Sequence, residues 1–531
     1  MVLRPYFLVS ALGAIALWGV GGCTTKFSSA TDLHNRGDFA GAANASEELC
    51  PSTEQDLDAD QPGAELKPKA TYDRDRVWIA VEKAKVLSDD GRGQSSARTF
   101  DYAVWEGKNF REEKSRFEAN ISDTSSWDAG LFAEGAGQSV FGADQTTFML
   151  QPSELLLAKS YALLNALLSG GEFRDRYGVG QGAKQLVRWQ DETRLDVSDG
   201  QLKPADVQRM DAIVRGKVPA GKTTSFSVGG ILSLGDFTAA KKSMAEAVQT
   251  GKSMRCADQS IAFATAVNWA CFMNAGMFRE AQQAGQTLAR QSGQSETTDN
   301  MQEWSTAGET EPEWVLVLIE TGRGPNRGYF NVRFPILIPS VGATEFRGVY
   351  PYLKFRADGR PTDVAVMADQ TRTPVNAVTS IDAIASLDFQ RRERELWWIP
   401  TVRGALRAVA AIVAQAVQKK DDNTTRLVIG LVSIIAAEAE QPDVRCWSTL
   451  PAAQHVALIR RPASGSLTIS LASGVTSSKI EVPDLPRGGS LVYLRALETT
   501  KCNQVRVAGI RSLEDMRLSS DAPSAMESPS N

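Results

Sequence analysis

The apolar residues change their spacing at Trp314. Before it they recur at helical intervals, and from it onward they come in short solid or alternating runs. A period near 3.6 marks a helix with one buried face; a period of 2, or a brief solid run, marks a strand. A chain that shows both, in that order, is expected to fold as an α+β protein with its helices first. At 531 residues it is longer than one domain usually runs, so two or three are expected.

The helical half carries a recurring turn. Gly37-Asp38-Phe39, Gly171-Glu172-Phe173, Gly235-Asp236-Phe237 and Gly276-Met277-Phe278 each follow one helical stretch and open another. The glycine ends a helix, and the phenylalanine with a later alanine turns the next helix inward. This pattern resembles tetratricopeptide repeats, although the interval from Gly235 to Gly276 exceeds the roughly 34 residues of that repeat. Residues 23–300 are therefore expected to form a TPR-like helical array. The stretch Arg290–Pro312 is polar, with almost no aliphatic residues, and is expected to be the main domain boundary.

Residues 313–510 are expected to form a second, α+β domain. Strands are predicted at Trp314–Ile319, Tyr329–Ile338 and Val349–Phe355. A helical hairpin is predicted next, from Ile381–Lys420, broken near Pro400, and Thr425–Glu440. Five short strands follow at Val456–Arg460, Leu467–Leu471, Lys479–Val482, Leu491–Leu497 and Gln504–Ala508. Their even spacing predicts a small β-sandwich-like sheet. The tail, 511–531, ends in a Ser/Pro-rich run and is expected to be disordered.

The amino-terminal segment 1–22 reads as a signal peptide. Arg4 precedes an uncharged apolar run, Phe7–Val20, whose length lies within the roughly 7–15 residues of a secretory core and below the roughly 20 needed to span a bilayer. The run ends in Val20-Gly21-Gly22-Cys23, which resembles the bacterial lipobox. Lipid on the Cys23 thiol, and a mature chain held to a membrane by it, are the expectation. The net charge of −5 shows no basic bias, so no nucleic-acid partner is expected.

Six cysteines occur, and lipid on Cys23 would leave Cys50, Cys256, Cys271, Cys446 and Cys502. An odd count leaves at least one unpaired within the chain. Cys446 and Cys502 both lie in the carboxy-terminal part and are the candidate disulfide. No cysteine or histidine cluster has metal-site spacing, so no metal and no cofactor are expected. Gly216–Thr223 (GKVPAGKT) fits a phosphate-binding loop, but helix-like sequence precedes it and Gly229-Gly230 follows. A plain loop is expected there. His34 and His455 fall in different predicted domains, and neither a Gly-x-Ser-x-Gly elbow nor a His-Glu-x-x-His pair is present. No catalytic residue is nominated. Trp397-Trp398, after the charged run 391–395, are candidates for a protein contact.

Several segments together resemble a family of bacterial TPR-containing outer-membrane lipoproteins. They are Trp314–Gly322; Phe334-Pro335-Ile336; Ile381-Asp382-Ala383-Ile384 with Asp388-Phe389; Arg403 with Arg407; and Asp443-x-Arg445-x-Trp447-x-x-Leu450-Pro451. The match runs in order over about residues 154–471, and the last signature is its most specific part. The resemblance implies an outer-membrane lipoprotein facing the periplasm, in a family sometimes encoded near lipoproteins that activate cell-wall synthases. It implies no activity and therefore supplies no catalytic residues. The signature itself reads as structural. Asp443 and Arg445 are suited to a charge-assisted pair, Trp447 to anchoring a turn in the core, and Pro451 to stopping a helix. The expectation is a non-enzymatic, lipid-anchored scaffold for envelope proteins, including components of cell-wall synthase complexes. The alternative is a glycan-binding module or envelope enzyme that uses the carboxy-terminal strands.

Overall fold

The structure, a computed structural model, describes residues 24–49, 76–104, 106–107, 148, 150–169, 182–188, 261–292, 295–307, 314–338, 342–356, 359–391, 445–500 and 502–510. The fold is α+β, as expected. Helices α1 (Thr24–Arg36), α2 (Phe39–Leu49), α3 (Arg76–Asp89), α4 (93–104), α5 (Pro152–Leu168), α6 (182–188), α7 (Ala262–Asn274), α8 (Phe278–Ser292) and α9 (Ser295–Ala307) precede the strands, and α10 (Ile381–Arg391) lies among them. The strands are β1 (Trp314–Thr321), β2 (Arg323–Ile338), β3 (Gly342–Arg356), β4 (Asp363–Ala368), β5 (Thr371–Pro374), β6 (Ala377–Ser380), β7 (Ala453–Arg460), β8 (Leu467–Ser473), β9 (Thr476–Val482), β10 (Gly489–Ala496) and β11 (Cys502–Ile510).

Two of the glycine turns lie in described residues. Gly37 and Gly276 have φ of 90° and 68°, a left-handed conformation that costs glycine little. In both, the next residue reaches back across the helix end: Asp38 N donates to Leu33 O at 3.0 Å and Met277 N to Phe272 O at 2.8 Å. These six-to-one bonds satisfy carbonyls the helix leaves open. Phe39, Ala42 and Ala281 are then buried at the start of the following helices. The turns at Gly171 and Gly235 lie outside the described residues, as do Cys23, the Gly216–Thr223 loop, Trp397, Trp398 and the helix predicted at Thr425–Glu440. No described helix is long and apolar enough to cross a membrane.

The strands form three sheets: a five-stranded one in the order β11-β10-β1-β7-β6, a four-stranded one in the order β5-β4-β8-β9, and the long hairpin β2-β3. The five carboxy-terminal strands therefore do not form a unit of their own. They divide between two sheets, and both sheets also use strands from earlier in the chain. Strands β4, β5 and β6 were not read from the sequence, because they are short and lack a clean alternation. The stretch Arg290–Pro312, read as a boundary loop, instead holds the end of α8 and all of α9. Asn300 of α9 donates to Leu458 O at 2.8 Å, so this polar helix is pinned to the sheet.

Strand β1 is solidly apolar because it is buried on both faces. Trp314, Leu316 and Leu318 belong to a core shared with the helices, including Phe100, Tyr161 and Phe263. Val315, Val317 and Ile319 belong to a second core, with Val364 and Val366 of β4 and Ile469 and Leu471 of β8. Each such buried aliphatic side chain contributes roughly 1.5–3 kcal/mol. The result is three layers: helices, five-stranded sheet, four-stranded sheet. The helix-facing core contains residues from both sides of 290–312.

Candidate functional site

One row on the helix face of the five-stranded sheet breaks the apolar pattern. Alternation along β1 carries Trp314, Leu316 and Leu318 on to Glu320. Glu320 pairs in register with Gln454 of β7 and Arg495 of β10, and Arg495 pairs with Gln504 of β11. Residues in register share a face, so the sheet presents a polar row at the edge of the helix-facing core. Helix α3 supplies the opposing groups. Glu82, Lys85 and Asp89 stand at i, i+3 and i+7, which places them on one side of the helix.

Lys85 is the centre of this cluster. Its Nζ binds Asp89 Oδ1, lies 3.0 Å from Glu320 Oε2 and donates to Tyr493 Oη at 3.2 Å. Glu320 also accepts from the Tyr161 hydroxyl, from the Tyr493 hydroxyl at 2.7 Å and from Gln454 Nε2 at 3.1 Å. Arg495 Nε lies 3.4 Å from Asp89 Oδ2, and Arg495 Nη1 donates to Gly322 O at 2.8 Å. His34 of α1 places Nε2 2.8 Å from Asp89 Oδ2. On the far side Arg506 stacks on the Tyr493 ring at 5.0 Å and donates to Asn165 Oδ1 at 3.0 Å. The side chains of His34, Lys85, Asp89, Glu320 and Arg495 are all 0% exposed.

Among the five side chains at 0% exposure, the carboxylates Asp89 and Glu320 balance the cations Lys85 and Arg495 if His34 is neutral. Burial lowers the His34 pKa from 6.5 to about 4 against the pull of Asp89, and Arg495 and Lys85 lower it further. A carboxylate only accepts, so Nε2 carries the proton. Nδ1 has no hydrogen-bond partner, and protonating it would bury an N–H with no acceptor. Burial raises the Asp89 carboxyl, but Lys85, His34 and Arg495 together outweigh it and hold the group ionised. Burial, and then the neighbouring carboxylates, push both tyrosines well above their usual range, so they stay protonated donors.

His34 yields a pH prediction. Its folded pKa lies below its unfolded one, so between pH 6.5 and about 4 the unfolded chain binds more protons. The stabilising contribution is complete above pH 6.5 and falls by about 3 kcal/mol as pH drops through this window. Denaturant unfolding of His34→Gln should lack that part of the slope. Parallel pH curves for the two chains would refute it.

Glu82, three residues before Lys85, holds the signature segment. Its Oε1 accepts from Ser448 N at 2.5 Å and Ser448 Oγ at 2.8 Å, and Oε2 accepts from Thr449 N at 3.2 Å. Burial raises this carboxyl, and those hydrogen bonds oppose the rise. Trp447 is 2% exposed, its ring 5.8 Å from Phe100 and 5.9 Å from Tyr161, and its Nε1 donates to Thr449 Oγ1 at 3.1 Å. Leu450 and Pro451 are buried beside it. Arg445 lies over the Phe148 ring at 5.8 Å, and its carbonyl accepts from Arg327 Nη1 at 3.0 Å. Asp443, its expected partner, lies outside the described residues.

Cys446 carries a free thiol, with Sγ 3.8 Å from Asn326 Oδ1, and the side chain of Cys502, its expected partner, lies outside the described residues. Burial pushes this thiol up to about 11, which makes it a poor nucleophile. His455 is buried between Thr321 Oγ1, 3.0 Å from Nε2, and Val375 O, 3.2 Å from Nδ1. Among the described residues no group of His, Cys, Asp or Glu is placed to hold a metal ion.

The arrangement is sealed from solvent, so its chemistry is cohesive. It ties α1, α3 and α5 to β1, β7 and β10 through ion pairs and hydrogen bonds. Sequence reasoning missed Lys85, Asp89, Glu320 and Arg495. The signal for Glu320 and Arg495 was present: each continues an alternating apolar row on a buried strand, and a charge there needs a partner. Searches against protein-family models, curated proteins and solved structures find no match to this chain.

Proposed function

We propose that this protein is a lipid-anchored periplasmic scaffold, held to the outer membrane through Cys23, that presents its helices to envelope protein partners. In this reading the helical part is a TPR-like array. The left-handed glycine turns at Gly37 and Gly276 support it. The observation that carries the non-enzymatic reading is the sealed cluster: its carboxylates, Lys85 and His34 are in no position to meet a substrate. The same cluster fastens helices to sheet, which suits a rigid platform for partners. Cell-wall synthase complexes are the partner class, on the family resemblance alone. Strands β4, β5, β8 and β9 contain no aromatic ring on which a sugar could stack, which weighs against a glycan-binding sheet.

Palmitate labelling of cells, followed by membrane fractionation, tests the anchor. Label should enter the wild-type chain in the outer-membrane fraction and be lost completely in Cys23→Ala. An unlabelled wild type would remove both the lipid and the localisation. Pull-down of the labelled chain against envelope extract and purified peptidoglycan tests the rest. Retention by glycan alone would replace the scaffold with a binding module.

A further inference from the structure

Strand β9 is an outer edge of the four-stranded sheet and, among the described residues, pairs with β8 alone. Gly474, at φ 59°, opens the two-residue turn that joins the two strands. Such a turn makes Ser473 and Thr476 a hydrogen-bonded pair, and the ladder alternates from there. Thr476, Ser478, Ile480 and Val482 thus bond to β8. Ser477, Lys479 and Glu481 turn their backbone N–H and C=O groups away from it, and all three residues are exposed. On the other face Ile480 and Val482 pack into the core beneath the sheet, and Ser478 Oγ donates to Thr499 O, so the edge is held in place. An edge of this kind is a template for a further strand.

Its charges restrict what that strand can be. Lys479 and Glu481 have no ion-pair partner among the described residues. A second copy of β9, running antiparallel about a two-fold axis at Ile480, sets Lys479 of each copy opposite Glu481 of the other. Both residues carry outward backbone groups, so these two pairs also supply about four main-chain hydrogen bonds. Shifting the register by two residues is the smallest step that keeps the outward groups facing. It puts Lys479 against Lys479, or Glu481 against Glu481, and like charges so placed repel. Pro483, exposed and without an N–H, closes the edge at one end. The opposite edge of the sheet, β5, is 4 residues long and ends in Pro374, so the sheet does not extend further from that side.

We infer that β9 pairs with β9 of a second copy of this chain, joining two four-stranded sheets into one across a two-fold axis. The contact is narrow, one strand from each copy, so the dimer is a reversible one. It needs neither lipid on Cys23 nor an envelope partner, although chains anchored on one membrane would meet at a raised effective concentration.

Sedimentation equilibrium of the purified full chain in density-matched detergent micelles tests it. The wild type should pass from monomer to dimer as concentration rises. Lys479→Glu and Glu481→Lys each turn both unlike pairs into like ones and should weaken the dimer about tenfold or more. The double reversal, Lys479→Glu with Glu481→Lys, restores unlike pairs and should dimerise like the wild type. An equal mixture of the two single variants should also dimerise, because one brings two carboxylates and the other two ammonium groups. Unchanged unfolding midpoints show that the variants are folded, and both positions are exposed. A wild type that stays monomeric at every concentration overturns the second copy, and protection of 476–482 from deuterium exchange by envelope extract would then give the edge to another protein's strand. A dimer that tolerates both single reversals overturns the contact at β9. A double reversal and a mixture that both stay monomeric overturn the register.

Discussion

Replacing Glu320 by glutamine is expected to lower unfolding stability by about 3–5 kcal/mol, the cost of leaving a buried cation without its counter-charge. The side chain keeps its shape, and the amide oxygen can still accept from Tyr161 or Tyr493. What is lost is the charge that Lys85 meets at 3.0 Å. Lys85 and Arg495 would then share Asp89 as their only carboxylate in the cluster, with one positive charge uncompensated in a site at 0% exposure. The rescue follows from the same charge count. Adding Lys85→Met to Glu320→Gln leaves Asp89 facing Arg495, and the balance returns. The double variant should be more stable than Glu320→Gln alone, although each change destabilises by itself. Denaturant unfolding of the four chains gives the coupling directly. Additive losses would mean that the cluster is not an electrostatic unit.

Trp447→Ala should cost a similar amount, about 3–5 kcal/mol, through the cavity it leaves between Phe100 and Tyr161. Trp447→Phe should recover most of this, because the ring contacts persist and only the bond to Thr449 goes. This pair of variants separates the two readings of the Asp-x-Arg-x-Trp-x-x-Leu-Pro segment. A tryptophan kept for a ligand would be removable at little cost to stability. One that joins the 445–451 turn to α4 and α5 would not. The measurement is the unfolding midpoint of the two variants without any ligand.

Strand positions were legible wherever burial forced the pattern. Residues 314–319 read as a strand because a solid apolar run this short, rich in β-branched and aromatic residues, suits a strand buried on both faces. The later strands were legible for the same reason of spacing and punctuation. Their partners were not. Nothing local to Val315 announces a parallel neighbour at Ser490, since sheet pairing is set by packing between distant segments. Helix α9 was missed because SETTDNMQEWSTA has few aliphatic residues to show a period; it is held by Asn300 and by Trp304, which packs on Trp314 at 5.8 Å. The buried charges of α3 were hidden by habit. Glu82, Lys83, Lys85 and Asp89 look like a solvated face until the sheet opposite is known to carry Glu320 and Arg495. Trp447 was legible as a core anchor, because a large ring in a turn has few other uses; Leu450, buried beside it, was read only as part of the signature.

The central position of β1 governs the order of assembly. Its hydrogen-bonding neighbours, β7 and β10, are made long after it, and Lys85 and Tyr493 meet across 408 residues of sequence. Contacts of such long range are slow to form, because loop closure comes before any reward. The charges sharpen this. Until β10 delivers Arg495, α3 cannot bury Asp89 and Lys85 against Glu320 without leaving the cluster one cation short. Early collapse of helices onto a half-built sheet is therefore penalised, and the last strands act as a gate on the first helices. The cluster itself can close only when segments from the two ends of the described chain are present together.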